Sequence, residues 1–457
     1  MQLKQFLRQG YSQVLVIGFV TFCCPGFFNA LVAMGGAGSR DPTAAAASNA
    51  LLYLMFAIMG YMSGAAFNMF GPRVLLSIGG STYAIYCACA YLSVAVPQLN
   101  WLFVLSGAIL GIGAALLWTG SSVVVSYAPD GKRGKYIATF WGIFNIGGML
   151  GGFIQFAMNF NQDRSADAAS AASYFTFVGV MILGSVVAAL FVVSPSEVIK
   201  EDGTQVEVEK PKTPKEELRD VLSVITDKNM LLLTVLFFGS NFFYPYMFDG
   251  VNGFTFTTRT RGLNSALYWA FQTLGSIVLG WILDNEKRES AKRAITGLVV
   301  LVVVVNVAYA LGCYFEYGIL AGYNKDHPLS ETEQFDFTEA RFVYPLIVFI
   351  LYGFGDSMIQ SYAYWIMGAI SKNDTILCAR YVGFYKSVQS LGAAVSWVID
   401  IKQCHVPYIF QFWVCWVLFL AAIPPTYLAC RRLSVLDAQE AKQADNASST
   451  HESVVGH

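Results

Sequence analysis

Ile350-Leu-Tyr-Gly-Phe-Gly-Asp356-Ser-Met-Ile-Gln360 runs on through Tyr364 and Trp365 to Ile370, and resumes as Arg380-Tyr-Val-Gly-Phe-Tyr-Lys386-Ser-Val-Gln389 on the way to Asp400. Two long apolar segments thus each carry one charge. Asp356 lies about 14 residues from either end of its segment, which at ~1.5 Å per residue puts it near mid-bilayer. A charge at that depth costs on the order of 3 kcal/mol even on lenient insertion scales. Such a carboxylate faces a bundle interior or a watery cavity, and the rest of the chain reads as the scaffold around it.

The 457 residues are 55% hydrophobic and only 13% charged, where a soluble domain carries roughly 25% charged residues. This is the composition of an integral membrane protein whose surroundings are the lipid bilayer. A net charge of −1 gives no basis for nucleic acid binding. His327, His405, His451 and His457 all lie outside the apolar interiors, so no metal site, haem or other cofactor is expected. Nine cysteines without C-x-x-C spacing, among them Cys23, Cys24, Cys87 and Cys89, read as small buried hydrophobes. No phosphate-binding loop and no nucleophile–base–acid set occurs, so no catalytic residue is assigned and the chain is not read as an enzyme. The first apolar run lacks a cleavage site and should remain as a helix.

Apolar runs long enough to span fall at roughly 14–34, 48–70, 74–96, 101–127, 136–160 and 172–194, then at roughly 229–249, 263–284, 293–315, 342–370, 381–400 and 406–429. The organisation expected is a six-helix half over 1–194, a cytoplasmic linker over 195–228, a second half over 229–430 and a disordered cytoplasmic tail over 431–457. With the N-terminus inside, the inner segments hold 21 of the 29 Lys and Arg residues and the outer loops 7, Lys386 being within a helix. That bias makes both termini cytoplasmic. Thr213-Pro214-Lys-Glu216 has the form of a helix start and predicts a short surface helix in the linker. The acidic outer loop from about Glu316 to Glu339 reads either as a cap over the outer mouth or as a solvated connection.

An internal repeat supports the two halves. Pro25-Gly-Phe-Phe-Asn29 resembles Pro245-Tyr-Met-Phe-Asp249, and Gly64-x-x-x-Asn68 resembles Gly280-x-x-x-Asp284. Gly111-x-Gly113 matches Gly353-x-Gly355, while Asn145 and Gly148 match Gln389 and Gly392. The pairs recur in the same order in both halves, which is one of the standard transporter plans.

Gly64-Ala-Ala-Phe-Asn68-Met-Phe-Gly71-Pro-Arg73 looks like the inner-loop signature of the major facilitator superfamily, G-x-x-x-D-x-x-G-x-R, with Asn68 in place of the Asp. Phe22-Cys-Cys-Pro-Gly-Phe-Phe-Asn-Ala30, Leu116-Leu-Trp-Thr119, Phe140-Trp-Gly-Ile-Phe-Asn-Ile-Gly-Gly148, Tyr362-Ala-Tyr-Trp-Ile-Met-Gly-Ala369 and Gly383-Phe-Tyr-Lys-Ser-Val-Gln-Ser-Leu-Gly-Ala-Ala394 resemble its Unc-93-like branch, and the fungal-type members most. The resemblance runs from about Tyr11 to Arg431. It implies an all-α, twelve-helix major facilitator bundle of two pseudo-symmetric six-helix halves. It also implies an inner gate made by Gly64, Asn68, Gly71 and Arg73 with Gly280 and Asp284. Some members of the branch are described as partners of ion channels or of trafficking receptors, others as transporters, so the resemblance leaves the activity open.

Helical spacing sorts the polar residues by face. Trp141, Asn145, Gly148, Gly152 and Gln155 share a stripe, as do Lys386, Gln389, Ala393 and Asp400, then Asp356, Gln360 and Tyr364, and also Trp118 with Ser122. Asn29, Asn241, Asp249 and Gln272 add polar groups on further helices. Lipid satisfies none of these, so they converge on an interior, read either as a substrate cavity between the halves or as hydrogen-bonding glue between helices. Lys386 either enters that interior or snorkels to the membrane surface. The remaining aromatics are read as mostly lipid-facing and interfacial. The leading expectation is a secondary transporter of a small polar or amphipathic solute, with proton coupling through Asp356. Its rival is a non-transporting partner of an ion channel or receptor. Substrate, oligomeric state and the choice between plasma membrane and endolysosomal or vacuolar membrane are not legible.

Overall fold

The computed structural model describes residues 2–60, 62–129, 133–162, 168–206, 216, 219, 223–283, 288–371 and 375–455. Twelve helices among them make up the body: α1 Gly10–Ala33, α2 Pro42–Met59, α3 Ser63–Ala95, α4 Asn100–Ser121, α5 Arg133–Asn159, α6 Ala171–Phe191, α7 Lys228–Gly239 with its continuation Tyr246–Gly253, α8 Thr258–Leu283, α9 Ser290–Tyr314, α10 Val343–Ser371, α11 Thr375–Asp400 and α12 Tyr408–Val455. Ten are long and apolar enough to cross a membrane. The other two are α7, interrupted after Gly239, and α11, which carries Arg380 and Lys386. Outward stripes such as Val299, Val303 and Val307 on α9 are half exposed and entirely apolar, as a lipid-facing surface must be.

Local chemistry sets the helix starts. Asp41 caps α2 by accepting the amides of Thr43 and Ala44, with Pro42 in the first turn. Ser170 caps α6 and Asp227 caps α7 in the same way. Gln9 and Gly10 pair with Ile199, which anchors the N-terminus beside the segment following α6. With an even number of crossings both chain ends lie on this face, called here the terminal face; the opposite one is the far face.

The halves repeat. α1 and α7 both widen into a π turn at the repeat proline, Phe22–Gly26 around Pro25 and Tyr246–Gly253 just after Pro245. Gly111 of α4 packs on α2 and Gly113 on α3; Gly353 of α10 packs on α8 and Gly355 on α9. The repeat read in the sequence is therefore the pseudo-twofold relation of the fold. Two symmetry-related seams join the halves, α5 on α8 and α2 on α11.

Four hydrogen bonds cross between halves among the described residues, all in the half of the bundle toward the far face. Gly36 N–H donates to Asp249 Oδ1 (2.7 Å), Asn252 Nδ2 to the Ala33 carbonyl (2.6 Å), Ser265 Oγ to the Ala30 carbonyl (3.1 Å) and Arg259 Nη1 to the Phe160 carbonyl (3.2 Å). The turn that presents Gly36 needs its glycines: Gly35 and Gly36 have φ of +82° and +55°, and any side chain on Gly35 would meet the backbone of Gly253. The loop before α10 joins this closure. Phe337 packs on Phe156 and Phe160 of the other half, so the acidic loop does cap the far mouth.

Two expectations change. The aromatics are not mostly lipid-facing: Tyr86, Tyr174, Tyr246, Tyr268, Tyr352, Tyr362 and Tyr385 are among the largest fully buried side chains. All of these hydroxyls except that of Tyr352 find hydrogen-bond partners inside, so those rings are buried at little polar cost. The chain after Arg432 continues α12 to Val455 rather than ending in a disordered tail, in keeping with the helix-favouring Ala438, Ala441, Ala444 and Ala447. The expected linker start at residues 213–215 lies outside the described residues.

Candidate functional site

Asp356, half-way along α10, is 1% exposed. Its Oδ2 accepts Tyr268 Oη (2.9 Å) and Gln272 Nε2 (2.7 Å) from α8, and its Oδ1 accepts Gln360 Nε2 (2.7 Å) one turn on. Gln360 also donates to Tyr244 Oη (3.2 Å). Three neutral donors thus hold a carboxylate in the membrane interior, each such charge-assisted bond being stronger than a neutral one.

Lys386 sits apart from it. The ammonium donates to Gln389 Oε1 (2.8 Å) and lies 5.4 Å and 5.1 Å from the rings of Tyr364 and Tyr385. Gln389 is deeper along α11 than Lys386, so the lysine points inward and does not snorkel. Gln389 Nε2 in turn donates to Ser240 Oγ, Asn241 Oδ1 and Tyr385 Oη. The α11 stripe therefore faces α7, and its far end, Asp400, takes a separate partner. No ion pair joins Lys386 to Asp356 among the described residues. The two polar networks meet instead at the break in α7, which supplies Ser240 and Asn241 to one and Tyr244 to the other.

The N-terminal wall is aromatic and amide. Trp118 and Trp141 stack at 5.7 Å, and Trp141 reaches across the halves to Tyr364 at 6.0 Å. Asn29 and Asn145 are half-buried and make no side-chain hydrogen bond among the described residues. The α5 stripe explains why. At its far part Gly148 admits the Trp269 ring and Gly152 admits Ala266, while Gly262 of α8 admits the backbone at Gln155 and Phe156. Toward the terminal face, Asn145 and Trp141 are left beyond this close packing.

Asp249 is separated from the Asp356 network and belongs to the far closure through Gly36. Arg73 is exposed and its Nε donates to the Val192 carbonyl at the end of α6, within its own half; a cation at a helix C-terminus is well placed. Gly64 and Gly71 have open space beside them, and Gly280 lies near the terminal end of α8. Asp284 and the Asn68 side chain lie outside the described residues. Sequence reasoning placed Tyr364 on the Asp356 stripe but missed Tyr268, Tyr244, Tyr385 and Ser240. The available signal was Tyr268, four residues before Gln272 and so on the same face.

The family model described as "Ion channel regulatory protein UNC-93" matches residues 38–406. The chain belongs to the UNC-93 family. It is 39% identical over 414 residues to "UNC93-like protein 1" of Arabidopsis thaliana, covering 90% of this chain and 88% of that one. It is 36% identical over 414 residues to an UNC93-like protein of Schizosaccharomyces pombe, covering 90% of this chain and 80% of that one. Among solved structures it is similar to a D-xylose-proton symporter, with a TM-score of 0.62 at 14% identity over 92% of this chain and 96% of that one. It is also similar to the nucleoside transporter NupG, with a TM-score of 0.59 at 12% identity over 93% of this chain and all of that one. The fold of this family member is that of a major facilitator transporter, in an integral membrane protein.

Proposed function

We propose that this chain is a secondary transporter that moves a small polar or amphipathic solute by alternating access, with both termini and the linker in the cytoplasm. The observation that carries the reading is an asymmetry. Every hydrogen bond between the halves among the described residues lies toward the far face, while Asn29 and Asn145 make no side-chain hydrogen bond there and the Trp118–Trp141 stack meets the other half through the Tyr364 ring. Halves whose hydrogen bonds among the described residues gather at one end, around buried polar networks, fit an inward-facing state that rocking about the α5–α8 and α2–α11 seams converts to its opposite. The solute cavity is assigned to Asn29, Trp118, Trp141, Asn145 and Gln360 with Lys386, and Asp356 is assigned the coupling proton. The Lys and Arg bias supports the orientation.

The test is uptake into proteoliposomes of the purified chain from a broad solute library, with and without an imposed proton gradient. Gradient-driven accumulation of one solute class, lost in Asp356→Asn, supports the reading. A second reading rests on the description attached to the family model, an ion channel regulatory protein: a membrane partner that sets channel activity without transport. Absence of uptake for every solute, together with co-purification of a channel subunit, would favour that alternative.

A further inference from the structure

At its far end α9 widens into a π turn over Phe315–Ile319, which carries Glu316. Glu316 is 7% exposed, and its Oε1 accepts the hydroxyl of buried Tyr246 on α7 (2.7 Å). Among the described residues its Oε2 makes no hydrogen bond, and no basic side chain pairs with it. The lysine of the following loop, Lys325, is spent elsewhere: Nζ donates to the Asp400 carbonyl and to Asp400 Oδ1, both at 2.8 Å. A buried carboxylate without a partner charge is costly, so Glu316 calls for a positive group from outside the chain.

Glu316 lines a cavity of about 320 Å³, the size at which small-molecule sites begin. Its walls are aromatic: Phe254 from the end of α7, Tyr317 and Tyr323 from the π turn and the loop after it, and Tyr408 from the start of α12. Phe254 meets the Tyr408 ring edge-on at 5.4 Å. Three other lining side-chain oxygens are committed. Tyr323 Oη donates to Glu333 Oε1 (2.7 Å), Tyr317 Oη accepts the Trp413 indole N–H (2.9 Å), and Asn324 Oδ1 accepts the amides of Asp326 and His327 (both 2.9 Å). Glu316 and the Tyr408 hydroxyl remain. They are too few side-chain oxygens for a hard metal ion, which takes about six, and leave a primary ammonium short of acceptors for its three N–H donors. A quaternary ammonium has no donor to strand, and aromatic faces attract it. We infer that this cavity is a binding site for a quaternary ammonium cation, held by the Glu316 charge and the surrounding rings. A free solute such as choline and the headgroup of phosphatidylcholine carry this same chemistry. Every lining residue belongs to the C-terminal half and none to the Asp356 network, so the site is separate from the central one.

The site lies within one half and stands whether or not the halves rock, so its test reads binding rather than flux. Full-length protein in phosphatidylglycerol nanodiscs is dialysed to equilibrium against radiolabelled choline. Dimethylbutanol, the uncharged carbon isostere of choline, should compete at least about tenfold more weakly than unlabelled choline. Glu316→Gln, which keeps an acceptor for Tyr246, should lose at least about tenfold in choline affinity. Ala321→Trp, at an exposed position on the cavity wall, should block binding with Glu316 untouched, and it tests the site even where Glu316→Gln does not fold. Nanodiscs of phosphatidylcholine distinguish the source. Weaker choline binding there identifies the lipid headgroup as occupant, unchanged binding a free cation, and either supports the site. Absence of choline binding to the wild type overturns the inference, as does equal competition by the isostere, which would leave an apolar cavity only. Displacement of choline by equimolar potassium, or affinity unaltered in both Glu316→Gln and Ala321→Trp, overturns it too. Binding lost in Asp356→Asn but retained in those two variants would put the ammonium in the central cavity and overturn the separate site.

Discussion

Arg259 forks onto Asp336, Nε to Oδ2 at 2.8 Å and Nη2 to Oδ1 at 3.0 Å, while its remaining nitrogen reaches the Phe160 carbonyl of the opposite half. The Asp336 side chain is wholly covered, and Thr257 and Thr338 donate to it as well. One guanidinium thus ties the loop before α10, the start of α8 and the end of α5 into one closure, with Phe337 5.2 Å beneath it.

The first prediction concerns that pair and pH. Burial alone would raise the Asp336 carboxyl, but the hydrogen bonds from Arg259, Thr257 and Thr338 outweigh it and hold it well below the usual carboxylate range. A depressed folded value contributes stability that is fully present above the ordinary value of about 3.9 and is lost only as pH falls through the depressed one. Asp336 should therefore keep its contribution throughout the physiological range. Asp336→Asn should weaken far closure by ~1–3 kcal/mol. Arg259→Ala should cost more, ~3 kcal/mol, because a covered carboxylate is left unpaired. The readout is thiol labelling of Ser265→Cys from the far side. Equal labelling in wild type and both variants would remove this pair from the gate.

Topology offers an independent check. Tags at Gln205 and at the C-terminus are expected on the cytoplasmic side, and a tag near His327 on the other. Protease protection that places Gln205 and His327 on one side would be incompatible with twelve crossings.

The fold was legible because lipid leaves few options: a run of about 20 apolar residues without backbone partners outside itself must be a helix. The repeat was legible because Pro25 and Pro245, or Gly111 and Gly353, answer the same packing demand in each half. Asp356 was legible for the opposite reason, as a charge that apolar surroundings cannot explain. Its partners were not. Tyr268 and Tyr244 look in sequence like any membrane tyrosine, and only the facing of α8, α7 and α10 turns their hydroxyls onto one carboxylate network. The Lys386 direction was hidden by the length of its side chain.

The α5–α8 seam gives a steric prediction. Gly152 leaves no room for a Cβ beside Ala266, whereas Gly179 on α6 has nothing within 4 Å. Gly152→Val should destabilise the far-closed state by ~1–3 kcal/mol through overpacking, and Gly179→Val should be neutral. Matching melting temperatures and matching far-side labelling for the two variants would show that the seam does not bear on closure.

The final prediction concerns Asp356 and Lys386 together. Had they formed a buried ion pair, deleting one would leave the other uncompensated, and deleting both would be milder than either alone. Each charge has its own partners instead: Tyr268, Gln272 and Gln360 for the carboxylate, Gln389 and two tyrosine rings for the ammonium. Asp356→Asn should strand at least one of three donors at a cost of ~1–3 kcal/mol. Lys386→Met should cost less, since its ammonium makes one hydrogen bond and its stem packs on Tyr364 and Tyr385. The double mutant should then show the sum of the two effects within about 0.5 kcal/mol. Flux should separate the roles further: Asp356→Asn should abolish the pH dependence of uptake yet leave exchange of bound solute, and Lys386→Met should weaken solute binding while the pH dependence stays. A double mutant more stable than either single variant would reveal a direct pair in another state of the cycle.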